Sequence, residues 1–274
     1  MAKKVYEEEN IRAIATAIRE KADPDKIYNK TYTTSRMPEG VDEVYEKGKK
    51  KEWSDFWDAC QAERNRAYYK LAFCGHGWTE KNFKPRYDIK PISSADNIFQ
   101  ESKINGSLIE ILKECNVTFD SRGLTGGIAY GFSNTQFTEI PTIDVSNSTS
   151  SNTLNYAFPT NYKLVKIEKI ILRDDGTQNF NGTFNNDTKL EEIRFEGTIG
   201  RSIDFKSSPL SIDSMKSIIT HLMDYSDTSY VQTYSLTFNS DCWTALESSG
   251  TPADDGIDFV GTWREYVQNL GWTI

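Results

Sequence analysis

At 274 residues, with a net charge of −8, a mean hydropathy of −0.60 and 12% aromatic side chains, the chain has room for one elongated domain or two to three small ones. No apolar run approaches the ~18–20 residues needed to span a bilayer. Residues 1–9 meet acids where a secretory signal would carry its apolar stretch, so the expected place of synthesis is the (host) cytoplasm, with no signal peptide. Residues 1–70 carry 15 Lys/Arg against 14 Asp/Glu and the rest 17 against 26, which argues against the basic footprint of a nucleic-acid binder.

The first predicted element is an amphipathic helix over 6–21. Ile11, Ile14, Ala15 and Ile18 share one face, and Glu7-Glu8-Glu9 suits the helix dipole at its start. Asp23-Pro24-Asp25 ends it, and a polar loop covers 26–36. Pro38 opens a second helix with an apolar stripe of Val41, Val44, Tyr45, Gly48, Trp53, Phe56, Trp57 and Cys60. Burying one large side chain is worth about 1.5–3 kcal/mol, so this stripe needs a cover from its own chain or from another copy. Residues 1–66 are therefore read as a helical attachment or oligomerisation region. Val44, Tyr45, Trp53, Phe56 and Trp57 form its candidate interface, and Lys49-Lys50-Lys51 a solvated face.

The run Cys74-Gly75-His76-Gly77-Trp78-Thr79 follows in an aromatic stretch. His76 beside Cys74 has neither a group to orient a base nor further metal ligands, so a turn is predicted there. The four cysteines (Cys60, Cys74, Cys115, Cys242) are scattered without a C-x-x-C and read as small buried hydrophobes.

The chain then repeats itself. Phe158, Lys163, Leu164 and Ile167 return 26 residues later as Phe184, Lys189, Leu190 and Ile193. An upstream copy runs from Phe132 to Ile140, and a fainter one takes in Phe99, Ile104 and Leu108. A period of 20–29 residues with an L-x-x-I core is the mark of a leucine-rich solenoid, in which no turn buries its apolar face alone. The predicted repeat core is Phe132, Ile140, Phe158, Leu164, Ile167, Phe184, Leu190 and Ile193, and strands are expected over 140–145, 164–172 and 190–195. Asp174-Asp175-Gly176 and Asn185-Asn186-Asp187 read as solvated turns. Calcium is the alternative there, without EF-hand or nonapeptide spacing.

Beyond residue 205 the pattern changes. Ser211 is the expected N-cap of a helix carrying Ile212, Met215, Ile218, Ile219 and Leu222, with His221 on its polar side. A strand is predicted over 230–238, a short helix capped by Ser240 through Cys242, Trp243 and Leu246, a turn at Asp254-Asp255-Gly256, a last helix over 262–270 and a terminal strand at 272–274. The whole is an α+β chain. N-terminal helices (1–66) precede a short, irregular leucine-rich-repeat β-solenoid (67–205) and a C-terminal α/β cap (206–274).

Several segments resemble a known group. They include Ala72-Phe73, Gly77-Trp78-Thr79, Phe137-Thr138-Glu139-Ile140-Pro141, Lys169-Ile170-Ile171-Leu172-Arg173 and Leu190-Glu191-Glu192-Ile193-Arg194-Phe195-Glu196-Gly197. They are similar to proteins encoded in tail modules of phages and prophages of Gram-positive gut bacteria, and the solenoid resembles the BspA-like leucine-rich repeat. The resemblance implies a non-enzymatic, homo-oligomeric virion tail protein that binds other tail or baseplate proteins and a host receptor of protein or glycan type. It implies no cofactor, metal, nucleic acid or membrane insertion, and it brings no catalytic residues. A bacterial surface adhesin is the alternative; a tail-associated wall hydrolase, needing two carboxylates ~5–10 Å apart, comes third.

Overall fold

The structure, a computed structural model, describes residues 73–75, 78–81, 83–85, 88–91, 93–227 and 233–274. The predicted N-terminal helices, the candidate interface of Val44, Tyr45, Trp53, Phe56 and Trp57, and His76 lie outside those residues. Strands β1 (Asn105–Ser107), β2 (Gln136–Ile140), β3 (Ile143–Asp144), β4 (Lys166–Ile171) and β5 (Glu192–Glu196) form one sheet in which every pairing is parallel. Helix α1 (Leu108–Glu114) follows β1 directly. Parallel neighbours in chain order, each reached by a long wrap, make a β-solenoid.

The strand expected over 140–145 needs correcting. It starts earlier, at Gln136, and divides into β2 and β3 at Pro141, which has no N–H to give a ladder. Both halves pair with β4, Ile140 opposite Ile167 and Ile143 opposite Ile170. The later strands begin two residues after the predicted starts, leaving Leu164 and Leu190 just ahead of them. Both leucines are fully buried, and each donates its N–H to the residue three before it, Asn161 or Asp187, at 3.2 Å.

Phenylalanines form the axis of the core. Phe73, Phe99, Phe132, Phe158, Phe184 and Phe205 stack in order, with successive ring centroids 5.0, 5.3, 5.5, 5.8 and 4.4 Å apart, and Phe238 adds a tilted ring at 6.2 Å. That spacing follows from the ~4.8 Å separation of neighbouring strands. The turn holding each ring is conformationally demanding. Left-handed residues stand two before and two after it: Asn97 and Glu101, Tyr130 and Asn134, Tyr156 and Thr160, Gly182 and Asn186. Non-glycine residues avoid this region at a cost of about 1–2 kcal/mol each. Hydrogen bonds between successive coils hold them there: the amides of Tyr130, Phe132 and Asn134 donate to the carbonyls of Tyr156, Ala157 and Pro159 at 2.8–3.0 Å, and the next turn repeats the pattern on Asn181, Thr183 and Asn185.

After β5 a helix takes the place of the next strand. Helix α2 (Ile212–Ile219) is N-capped by Ser211, as expected, and lies along the β5 edge. Ile193 N–H donates to Ser214 Oγ at 3.0 Å and Phe195 N–H to Ser217 Oγ at 3.1 Å, while Glu191 O accepts from Ser211 N and Ser214 Oγ. Serines at i, i+3 and i+6 thus satisfy an edge that would otherwise offer unpaired groups to another chain.

The remaining elements are β6 (Ile203–Phe205) paired in parallel with β7 (Leu236–Phe238), α3 (Ser240–Ser248), a 3-10 turn (Pro252–Asp255) and α4 (Trp263–Asn269). The strand expected over 230–238 is described only at Leu236–Phe238, and Asn239, not Ser240, caps α3. The terminal strand reduces to one bridge, Ser235 with Thr273. One hydrophobic core runs from Phe73 to Trp272, so the change at residue 205 is one of element type and not a break in packing. No helix among the described residues is long and apolar enough to cross a membrane.

Candidate functional site

The sheet's outer face is built by a register irregularity. Ile167 and Ile170 point inward with two residues between them, whereas the paired positions on β5, Ile193 and Phe195, have only one. Strand β4 therefore bulges, and Glu168 and Lys169 both turn outward. Bulges commonly re-aim side chains in this way. β2 and β3 carry the same extra residue at Pro141 and Thr142. The result is a polar trough of about 620 Å³ running from Thr142 across β4 and β5 to the start of α2.

Its walls are tied across turns. Glu168 accepts from the Thr142 amide at 3.1 Å and its hydroxyl at 2.8 Å; Lys166 pairs with Glu192 at 3.1 Å, and Lys169 pairs with Glu196 at the margin. Arg194 and Asp213, both exposed, also line the trough and none of these pairs engages them. Three cationic and three anionic side chains line it (Lys166, Lys169, Arg194; Glu168, Glu192, Asp213). Exposed pairs of this kind contribute about 0–1 kcal/mol to stability, so their arrangement matters more for what the face can touch than for holding it together.

A second exposed feature lies on the turns. Tyr130 and Tyr156, 40% and 41% exposed, stack with nearly parallel rings at 5.3 Å. At the next equivalent position the residue is Gly182, because the Tyr156 ring occupies that space: a Cβ there would lie 2.4 Å from the ring.

The predicted repeat-core residues Phe132, Ile140, Phe158, Leu164, Ile167, Phe184, Leu190 and Ile193 are all buried; of these, Ile167 and Ile193 also line the floor of the trough. Of the described cysteines only Cys242 is buried; Cys74 and Cys115 are half-buried, a correction to the expectation of four buried ones. Burial pushes all three thiols up, which disfavours the reactive thiolate. His221 follows the α2 C-cap. Its Nδ1 lies 2.7 Å from Ser217 O, and since a carbonyl only accepts, Nδ1 carries the proton. Asp174 and Asp175 are solvated as expected, but Asp187 is not: it is fully buried.

The sequence marks Ile167 and Ile193 as repeat core and an extra stretch over 168–171, but not the trough they form. Its signal was the contrast between Ile140-Pro141-Thr142-Ile143 or Ile167-Glu168-Lys169-Ile170 and the shorter Ile193-Arg194-Phe195. Among the described residues no group of three or more His, Cys, Asp or Glu is placed to hold a metal ion. The molecule is thus, by fold, a repeat solenoid with a helical end. No family model, curated protein or solved structure matches the chain.

Proposed function

We propose that this chain is a non-enzymatic recognition protein of the phage-tail type, in which a BspA-like leucine-rich-repeat solenoid presents its bulged sheet face to a protein or glycan on a host surface. The observation that carries the reading is the trough. It is assembled from side chains of successive turns, with a charged and polar rim over Ile167 and Ile193, and is balanced in charge. Such a lining suits a hydroxyl-rich or mixed-charge ligand better than a polyanion, because neither sign of charge dominates. The resemblance of several segments to tail-module proteins supplies the setting. In this reading residues 1–66, with Trp53, Phe56 and Trp57, attach the protein to the tail or to copies of itself.

The test has two arms. Mass spectrometry of purified particles should find the chain in the virion, and a chain lacking residues 1–66 should fold, remain monomeric and no longer incorporate. Tagged full-length protein should bind host cells, and Glu168→Ala with Arg194→Ala should weaken that binding at least tenfold. Binding that ignores the double substitution removes the trough from the reading. Absence from particles removes the tail setting.

A further inference from the structure

A buried polar ladder runs beside the phenylalanine stack, three residues after each ring from Phe99 to Phe205: Ser102, Thr135, Asn161, Asp187 and Ser208, each at most 2% exposed. Asn161 shows what the position requires. Its Oδ1 accepts from the Thr135 amide at 2.8 Å and hydroxyl at 3.0 Å in the turn before, and its Nδ2 donates back to Phe158 O in its own turn. The position needs one acceptor toward the preceding turn and one donor toward its own phenylalanine carbonyl.

Asp187 stands in the same place one turn later. Its Oδ1 accepts from the Asn161 amide at 2.9 Å, the acceptor half of the task. Its Oδ2 is buried and has no hydrogen-bond partner. An ionised carboxylate has no proton for the donor half, and burying an unpaired charge is strongly unfavourable. A neutral carboxylic acid performs both halves, with O–H in place of the asparagine N–H.

We propose that Asp187 is held as a neutral carboxylic acid that donates through Oδ2 to the Phe184 carbonyl, and that its ionisation loosens the joint between the last regular turn and the C-terminal cap. Among the described residues nothing stabilises the anion beyond one amide. From the turn before, Asn161 is uncharged. From the turn after, Ser208 Oγ donates to Asp187 O at 3.2 Å. Behind Ser208, Asn239 Nδ2 and Cys242 Sγ approach the Ser208 carbonyl, and Cys242 is the titratable group there, itself raised by burial. Neighbouring Lys189, Glu191 and Asp241 are exposed. Burial accordingly drives the Asp187 carboxyl well above the ordinary range, with the Asn161 amide opposing weakly, and no cation contributes.

The sign follows from linkage. A raised folded-state value means that the folded chain keeps a proton the unfolded chain has released. The stabilisation is complete below the ordinary aspartate value near ~4 and is lost as pH rises toward the folded value. Across that window the folding equilibrium should fall by up to about tenfold per pH unit. Asp187→Asn supplies the donor at every pH and should abolish this loss. Other carboxylates titrate too, so the difference between the two chains isolates Asp187.

Urea unfolding of the full chain and of D187N between pH 4 and 8 tests the proposal. The two should converge near pH 4, with D187N increasingly the more stable at higher pH. Parallel curves, or a D187N that is weaker at pH 7, would overturn it. Carbon-13 NMR of the Asp-labelled unmodified chain is independent of any variant's folding. One buried carboxyl should keep the shift of the protonated form after the other aspartates have ionised, and all aspartates titrating near their ordinary value would equally refute the assignment. The proposal does not depend on the recognition reading, since its outcome says nothing about binding.

Discussion

The stretch from Phe132 to Leu190 and the stretches on either side of it keep the same axis by different means. In the middle, successive turns are 26 residues apart in the spine, and each contributes a strand, a phenylalanine and a polar residue three positions on. Toward the N-terminus, Phe99 and Phe132 are 33 residues apart, yet their rings stack at 5.3 Å, as close as those in the middle. The surplus is taken up around α1, which departs from the sheet after Ser107. Toward the C-terminus, Phe184 and Phe205 are only 21 apart and stack at 4.4 Å, with a helix where the next strand would be. The contrast teaches that the ring stack is the fixed quantity. Turn length and element type are free so long as one ring per turn reaches the axis and the edge of the sheet is satisfied.

The largest effect should come from breaking the axis at its centre. Phe158 is fully buried between the rings of Phe132 and Phe184, so Phe158→Ala should cost about 3–5 kcal/mol. Leu190→Ala, fully buried in the next turn, should cost about 2–5 kcal/mol. Phe238→Ala, at the tilted end of the stack and 5% exposed, should cost less than Phe158→Ala. Urea denaturation of the three variants measures this directly. Equal losses at centre and end would mean that the stack is not what unites the two regions.

How much of this was legible follows the same division. The middle turns were readable because Phe158/Phe184, Leu164/Leu190 and Ile167/Ile193 share one offset, and a strict period needs no knowledge of contacts. Phe205 and Phe238 belong to the same axis but are hidden from a search at one period by offsets of 21 and 33; Phe73 stands one period before Phe99, but Phe99 is itself 33 residues from Phe132. The sequence shows an extra stretch over 168–171 but not what it builds, because a bulge is a difference between neighbours, one residue more in β4 than in β5, with no composition of its own. Asp187 was misread for a better reason. Asn185-Asn186-Asp187 has turn chemistry and does form a turn, but the stacking of turns carries its third member inward.

The helix that closes the sheet should give the next largest effect. Ser214 Oγ accepts from the buried Ile193 N–H, so Ser214→Ala strands that amide, at a cost of about 1–3 kcal/mol, while Glu191 O loses one donor and keeps Ser211 N–H. Ser217→Ala removes only the acceptor for Phe195 and should cost less. Hydrogen exchange at the Ile193 amide provides a local readout: its protection should fall in S214A and stay unchanged in S217A. Unchanged protection in both would show that α2 covers the edge by packing alone.

Within the regular stretch, Gly182 separates backbone from side-chain causes. It has φ +60° and meets the Tyr156 ring. Gly182→Ala should therefore cost about 1–2 kcal/mol from the left-handed backbone, plus the displacement of that ring. In the background of Tyr156→Ala the second part disappears, so the two substitutions should be less than additive. Strict additivity would mean that the ring moves aside freely and that the tyrosine stack is loosely held.

The smallest expected effect on stability comes from the charges on the bulged face, and it separates recognition from folding there. Lys166–Glu192 and Lys169–Glu196 join successive turns, but all four side chains are a third or more exposed. Pairs in that setting contribute about 0–1 kcal/mol, and at 1 M salt a screening length of about 3 Å removes most of it. Lys166→Ala combined with Lys169→Ala should thus lower stability by about 1 kcal/mol or less, and in high salt by less still. Host-surface binding should respond differently, because the same change leaves the trough with one cation, Arg194, facing three anions. A shift in ligand preference without loss of fold would support the functional reading of this face. A salt-insensitive loss well above 1 kcal/mol would show instead that the lysine stems pack as structure, and the regular turns would then be held by their outer face as well as by the ring stack within.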